Sequence, residues 1–537
     1  MRRQTAARRA FFAMLTLTTL ATFVALLVRV MSTIRVGTVV PVPIEGPGIY
    51  AIWKVQHGYP AYEWPTRDFF ALTLYNFLFY QSYARLLSPL GLPSVWLPVA
   101  ARLLTVLFAA AGAVIQYALT AGILKRRGVE SHKAVLAAFA FCTWFGFGFI
   151  GLWSVSARPD VPASTFALAG FAACVSVVDG RSPARLIVAG ILFYLAWAFK
   201  QSAIATLGGV CLYFLAVRRS IRDVALTAAP FAALAALTIA LGGEAYRYNV
   251  LVAPQVAGQL DWWPSFYWYR SVFLPNLPVW AAVAFMLWRV FVTPRAEPAA
   301  IDRDLVSLFA CAIAFAFALG VLTLARNGSS LNHIIELWVT SATFASVAFA
   351  AVNSRQSTVD SPARACAAAA VLFVLPLAFT IGQLAHSDRL IGIIGLRARP
   401  ERLTVGSERE YATRVALQER LRSLPRPIHV DDEMLAQPWQ ANDDRYPAIV
   451  LDHVFYDAAS AKNLLEHDGV VSLIDRRYFG TVVASVPPWY VFRAARSAGY
   501  VEVARLPWFL DSEAVVLVRS ETANPTQIKR PTRRRTP

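Results

Sequence analysis

Eleven apolar runs follow one another along this chain, near residues 11–31, 96–123, 134–153, 161–178, 186–199, 202–217, 224–242, 271–293, 305–325, 334–352 and 365–385. A hydrocarbon core about 30 Å thick is crossed by about 20 apolar residues in helical form. Lipid offers the backbone no hydrogen-bond partners, so spanning segments of this kind must be helices. Composition points the same way: 57% of the 537 residues are hydrophobic and 16% are charged. These figures exclude intrinsic disorder, collagen-like repeats and a secreted disulfide scaffold. The reading is an α-helical polytopic membrane protein with about 11 transmembrane helices. Its five cysteines, Cys142, Cys174, Cys211, Cys311 and Cys366, lie in or beside apolar runs and suggest buried thiols, with no disulfide framework or thiolate metal site.

The net charge of +18 would suggest nucleic acid in a soluble protein, but here the cations sit mostly in short loops between spans. Alternate loops hold eighteen Lys and Arg, beginning with Arg2, Arg3, Arg8 and Arg9, while the other set holds nine. The positive-inside rule places the richer set, and the N-terminus, in the cytoplasm. The first run lacks a small-residue cleavage site, so it reads as a retained span. The stretch 186–217 is broken by Lys200-Gln201-Ser202. As one helix it would measure about 48 Å, far beyond the hydrocarbon core, so two short helices meeting at Lys200 are expected.

Residues 1–385 thus form the transmembrane module, with 32–95 as its first outer loop. Past it, 386–524 reads as an extracytoplasmic α/β domain. Its expected strands are Pro427–Val430, Pro447–Leu451, Val470–Ile474 and Val515–Val518, and its expected helices 406–422, 457–467 and 489–498. The basic stretch 525–537 reads as a disordered tail.

Polar groups near span ends need a reason, because ionised side chains are costly at membrane depth. Glu45 lies between Pro43 and Pro47 in the first outer loop; it is either a solvated carboxylate or a general base for an attacking hydroxyl. In Arg158-Pro159-Asp160, Pro159 can open a helix with Asp160 in its first turn, where the dipole favours an acid. Arg158 is then a snorkelling cation, or a ligand for phosphate or for Glu45. Lys200, at the turn between two short helices, suits a phosphate ester. His333 and Glu336 share a helix face in Asn332-His333-Ile334-Ile335-Glu336, but two candidate ligands complete no metal site. The aromatic run Trp262–Tyr269 reads as an interfacial belt, with sugar stacking or a lipid groove as alternatives.

Together these segments resemble the GT-C superfamily of integral-membrane glycosyltransferases, particularly enzymes related to protein O-mannosyltransferases and the lipid A aminoarabinose transferase. The resemblance rests on Glu45 in the first outer loop, Gly58-Tyr59-Pro60-Ala61-Tyr62, Arg158-Pro159-Asp160, Phe199-Lys200-Gln201 and Asn332 to Glu336. It implies inverting transfer of a sugar from a polyprenyl-phosphate donor to an envelope glycan, lipid or protein on the outer side of a bacterial inner membrane. By that analogy Glu45 is the base, and Lys200 and Arg158, with Arg270 and Arg326, hold the donor phosphate. Asp160, Asn332, His333, Glu336 and Tyr62 are then sugar or acceptor contacts. Many relatives carry two adjacent acids in the first loop, whereas Gly46 follows Glu45; Asp68 or Asp160 could supply the second, which leaves a divalent metal open. Tyr75-Asn76-Phe77 also lacks the Pro that relatives often carry after the Tyr.

Two rivals remain at this stage. A lipid or polysaccharide flippase would need polar residues along a path through both faces, and the candidates crowd one. A non-catalytic envelope-assembly subunit would use its outer domain for contacts.

Overall fold

A computed structural model gives the architecture. It describes residues 2–36, 45–64, 73–128, 133–146, 150–256, 262–273, parts of 279–288, 302–326, 331–355, 419–421, 423–430, 470–486, 490–507 and 513–521. The expected span 365–385, strand 447–451, helix 457–467, most of helix 406–422, and the tail 525–537 lie outside these residues.

The transmembrane part is helical: α1 (Arg2–Val36), α2 (Gly46–Gln56), α3 (Phe77–Leu87), α4 (Leu97–Arg126), α5 (Lys133–Phe145), α6 (Asp160–Val178), α7 (Ala184–Phe199), α8 (Ala205–Leu212), α9 (Ile221–Leu241), α10 (Trp262–Phe273), α11 (Arg303–Leu324) and α12 (Ile335–Arg355), with shorter helical turns between some of them. Among the described residues six helical segments are long and apolar enough to cross a membrane. The break at Lys200 is real: α7 ends at Phe199, Lys200 turns into extended backbone, and α8 starts at Ala205.

The bundle core is built from α4 to α8, α11 and α12, whose buried faces meet in one apolar cluster that includes Phe171, Phe193, Phe309 and Trp338. Small residues set the closest approaches. A Cβ at Gly209 in α8 would overlap the backbone of Ala312 in α11, so only glycine lets these two helices touch. By contrast α9 shows most of its surface outward, exposing Ile221, Leu237 and Leu241 as a lipid-facing helix does.

Two helices do not cross the bundle. In α2 and α3 the residues Tyr50, Trp53, Phe79, Tyr80 and Tyr83 form a second, aromatic core against α4 and the start of α6. Lys54 is sealed inside this layer, 3.4 Å from Glu63 and donating to the Ala61 carbonyl. Burial pulls its ammonium below the ordinary lysine range, and Glu63 opposes the shift.

The C-terminal unit has a four-stranded sheet, β1 (Ile428–Val430), β2 (Thr481–Val486), β3 (Tyr500–Pro507) and β4 (Glu513–Arg519), ordered β1-β2-β4-β3. β1 runs parallel to β2, and the other pairs are antiparallel. Val482 and Ala484 bury one face, Val483 the other, as a two-residue period requires. The expected strand at Val470–Ile474 is instead helix α13 (Val470–Asp475), because Val470, Leu473 and Ile474 form its buried side at i, i+3 and i+4. Helix α14 (Tyr490–Ser497) covers the same sheet face through Val491 and Ala495.

Gly209→Ala should separate α8 from α11 at a cost of about 1–3 kcal/mol, the usual range for overpacking a close contact. The check is the thermal midpoint of the detergent-solubilised protein, with Gly122→Ala, whose added Cβ would meet only the flexible Arg126 side chain, as the comparison.

Candidate active site

Where α6, the α7–α8 turn and the start of α12 meet, one carboxylate gathers three partners. Asp160 opens α6, where the helix N-terminus favours its charge. Its Oδ1 accepts from the Lys200 ammonium and, at 2.9 Å, from Asn332 Nδ2. Its Oδ2 faces Arg158 Nε at 3.2 Å. Arg158 also donates to the Tyr75 hydroxyl at 2.6 Å and lies 4.4 Å from the centre of the Trp153 ring. All three charged groups are buried.

Capacity is left over. The Arg158 Nη1 and His333 Nδ1 atoms are buried without a hydrogen-bond partner. An ammonium carries three donors, and Lys200 directs one to Asp160. Beside them is a cavity of about 20 Å³, lined by Asp160, Ser164, Lys200, Ser202, Asn332, His333 and Glu336 among others. Glu336 does not pair with His333. Its Oε2 accepts from Thr206 N and Oγ1 at 2.9 and 2.7 Å, capping the start of α8. No group of three or more potential metal ligands occurs among the described residues, and the pair His333/Glu336 offers no site by itself.

Glu45 stands next to this cluster. It precedes α2, with Pro47 in the helix's first turn. Its side chain is fully buried: Oε2 takes a fork from Arg102 Nη2 and Nε at 2.6 and 3.1 Å, and Oε1 takes the Ala157 N–H at 2.5 Å. Arg102 is thus the ion-pair partner of Glu45, while Arg158 lies within electrostatic range of the carboxylate and is tied to it through the backbone of its neighbour Ala157. Asp68, a second acid considered from the sequence, lies outside the described residues.

Arg158, Asp160, Lys200, Asn332, His333 and Glu336 come together, and Glu45 borders them. Tyr62 is one step removed, donating to the Tyr75 carbonyl at 2.9 Å and packing edge-on to Tyr246. Arg270 is exposed on α10 and joins none of these contacts. Arg326 is exposed after α11, within electrostatic range of His333. On α10, Trp262, Trp263 and Phe266 are exposed, in keeping with an interfacial belt.

Sequence reasoning passed over Arg102 and Trp153, and met Tyr75 only as a Tyr without a following Pro. Arg102 carried a usable signal: it is the only charged residue in the run 96–123, and an ionised group inside a span marks a partner or a site.

No protein-family model and no curated protein sequence matches the chain. Solved structures do. The aminoarabinose transferase ArnT from Cupriavidus metallidurans bound to undecaprenyl phosphate superposes with a TM-score of 0.54 at 13% identity, covering 95% of this chain and 99% of that one. Its apo form gives 0.56 at 14% identity, covering 95% and 98%. An oligosaccharyltransferase from Archaeoglobus fulgidus, tethered to an acceptor peptide, gives 0.51 at 11% identity, covering 92% and 73%. The chain therefore shares the fold of these structures, and six of its described helical segments are long and apolar enough to cross a membrane.

A double-mutant cycle tests the Glu45–Arg102 pair. Glu45→Gln and Arg102→Met should each lower stability by about 3–5 kcal/mol, because each strands a buried group. The double variant should lose less than the sum, as measured by thermal or chemical denaturation in detergent. Additive losses would show that the two side chains do not share one interaction.

Proposed function

We propose that this protein is a membrane glycosyltransferase that moves a sugar from a polyprenyl-phosphate donor to an acceptor on the outer side of a bacterial inner membrane, with inversion at the anomeric carbon. The N-terminus is assigned to the cytoplasm and the C-terminal α/β unit to the outside. The observation that carries the reading is the arrangement of Arg158 and Lys200 around Asp160, with donor capacity unspent, beside a polar cavity at the ends of three helices. A departing phosphate needs its growing charge stabilised, and fixed cations in a low-dielectric site supply that. The likeness to a transferase with bound undecaprenyl phosphate supports the donor class.

In this scheme Lys200 and Arg158 hold the donor phosphate, assisted by Arg270 and Arg326 when the donor draws them in. Asp160 keeps the cations apart and oriented until the phosphate takes its share of their charge. Asn332, His333 and Glu336 contact the sugar from the start of α12, and Tyr62 supports the acceptor side. Glu45 is the base that takes the proton of the attacking hydroxyl. To reach it, the acceptor must replace a contact that now occupies the carboxylate, and the Ala157 N–H is an uncharged one. The acceptor is an envelope glycan, lipid or protein.

The sealed position of Glu45 favours a second role that competes with the first. A carboxylate clamped between Arg102 and the Ala157 N–H fixes the segment that carries Arg158. It then positions the phosphate ligand without touching substrate.

The test is transfer of radiolabelled sugar from lipid-linked donor in proteoliposomes. Glu45→Gln should abolish transfer at every pH while the protein still inserts and donor affinity is kept. If Glu45 only positions Arg158, the same variant should retain turnover and weaken donor binding instead. Lys200→Ala should raise the donor KM about tenfold or more; an unchanged donor dependence would remove the phosphate assignment.

A further inference from the structure

A second cavity lies away from the charged cluster, at the far end of α2. It has a volume of about 350 Å³ and is walled by Gln56 and His57 from α2 and its cap, and by Leu87, Ser88, Leu92, Ser94 and neighbours from the α3–α4 connection. That volume is in the range of small-molecule sites. The mechanism proposed above uses none of these residues.

Its chemistry is uncharged apart from His57. The Gln56 amide makes no hydrogen bond among the described residues. His57 commits Nδ1 to the Trp53 carbonyl at 2.9 Å, which turns Nε2 outward, and its ring packs 4.4 Å from that of Trp53. Ser94 Oγ accepts from Trp53 Nε1 at 3.3 Å and keeps its own proton to donate. No carboxylate lines the cavity. Amide, imidazole and hydroxyl facing an apolar wall of Leu87, Leu92 and Leu97 suit a ligand with hydroxyls on one side and C–H groups on the other, which is the surface of a sugar.

Position adds the second half. At 1.5 Å per residue the 30 residues of α4 extend about 45 Å, roughly 15 Å more than a hydrocarbon core. With its basic end, Lys125 and Arg126, at one interface, its first turn stands in the opposite headgroup layer. There Leu86, Leu90, Leu92, Val95 and Trp96 form an exposed apolar lip beside the cavity, Leu90 being 59% exposed. Trp96 is placed as interfacial tryptophans are. The lip can bed a lipid chain while the cavity takes its sugar head.

From Gln56 to Glu45 is the length of α2, about 16 Å along the axis, which is further than one sugar unit reaches. We infer that this cavity is a docking subsite for an amphipathic, glycan-bearing acceptor, held at a sugar remote from the reacting hydroxyl. The assignment of the ligand as acceptor rests on the transferase reading, whereas the site itself does not. In that arrangement α2 is a ruler: one end carries the base and the other reads whether the acceptor is long enough to span both.

The probe is a photoactivatable dodecyl maltoside added to the full-length protein in nanodiscs, with crosslinks mapped by mass spectrometry. Labelling should concentrate on residues 86–97, compete with unlabelled dodecyl maltoside, and fall at least fivefold in Gln56→Ala/His57→Ala. Leu90→Lys, on the exposed lip and outside the cavity lining, should reduce it independently. Equal competition by dodecyl phosphocholine, or labelling indifferent to all three substitutions, would overturn a sugar site and leave only an apolar lip. Because the readout is binding, loss of all transfer activity with labelling intact would sink the transferase reading alone. Loss of the labelling pattern with transfer intact would sink the docking subsite alone.

Discussion

The carboxylate of Asp160 is the interaction on which the rest of the site depends. Two cations, Lys200 and Arg158, are buried within its reach. Each would be expensive to keep charged away from water without a counter-ion. Asp160 answers both, and adds Asn332 from a third segment. One side chain therefore fixes where α6 begins, where α7 must stop, and how α12 approaches. The break at Lys200 is in keeping with this: a continuous α7–α8 helix would carry the ammonium past the carboxylate it pairs with.

Glu45 and Arg102 repeat the device one layer away, and the two systems are coupled through a few residues of chain. Ala157 gives its N–H to Glu45, and the next residue, Arg158, turns to Asp160 and Tyr75. Any movement that frees Glu45 for an incoming group must therefore be felt at Arg158, the cation proposed to hold phosphate. In a transferase this coupling has a use, since the base and the leaving-group site should be ready together. It also explains why both pairs are buried: at an effective dielectric far below that of water, small displacements alter such interactions strongly.

How much of this was legible in the sequence depends on range. Apolar runs and their polar interruptions are local, so the helices, the break at Lys200 and the polar segments at 158–160, 199–201 and 332–336 could be read directly. Pairing is not local: Asp160 meets Lys200 and Asn332 across 40 and 172 positions, and no periodicity encodes which acid a given cation will find. Arg102 was readable as an anomaly inside a span but not as the partner of Glu45. Lys54, within the segment 32–95 read as outer loop, belongs to a buried pair with Glu63, because α2 forms a helix inside that segment. The short apolar run 470–474 failed for another reason, since five residues cannot distinguish a strand from one and a half helical turns.

The two ends of the bundle handle charge differently, and the contrast bears on which end does chemistry. At the basic end, Arg127 bridges Asp179 and Asp302 at 2.9 and 2.8 Å, Arg126 meets Asp179, and Arg218 meets Asp304 at 3.0 Å. Asp302 and Asp304 are open to solvent, at 68% and 49% exposure, so their contacts contribute little and are screened by salt, whereas the Arg127–Asp179 pair is largely covered. They tie α4, α6, the chain after α8, and α11 into register without storing much energy. At the opposite end the pairs are sealed, their geometry is fixed by aromatic packing, and donors remain uncommitted. A bundle that needed charge only for orientation would have no reason to bury it there. The asymmetry suits the proposed transferase: more solvent-exposed, tolerant contacts on one side, and on the other a dry set of charges able to take a ligand that brings its own.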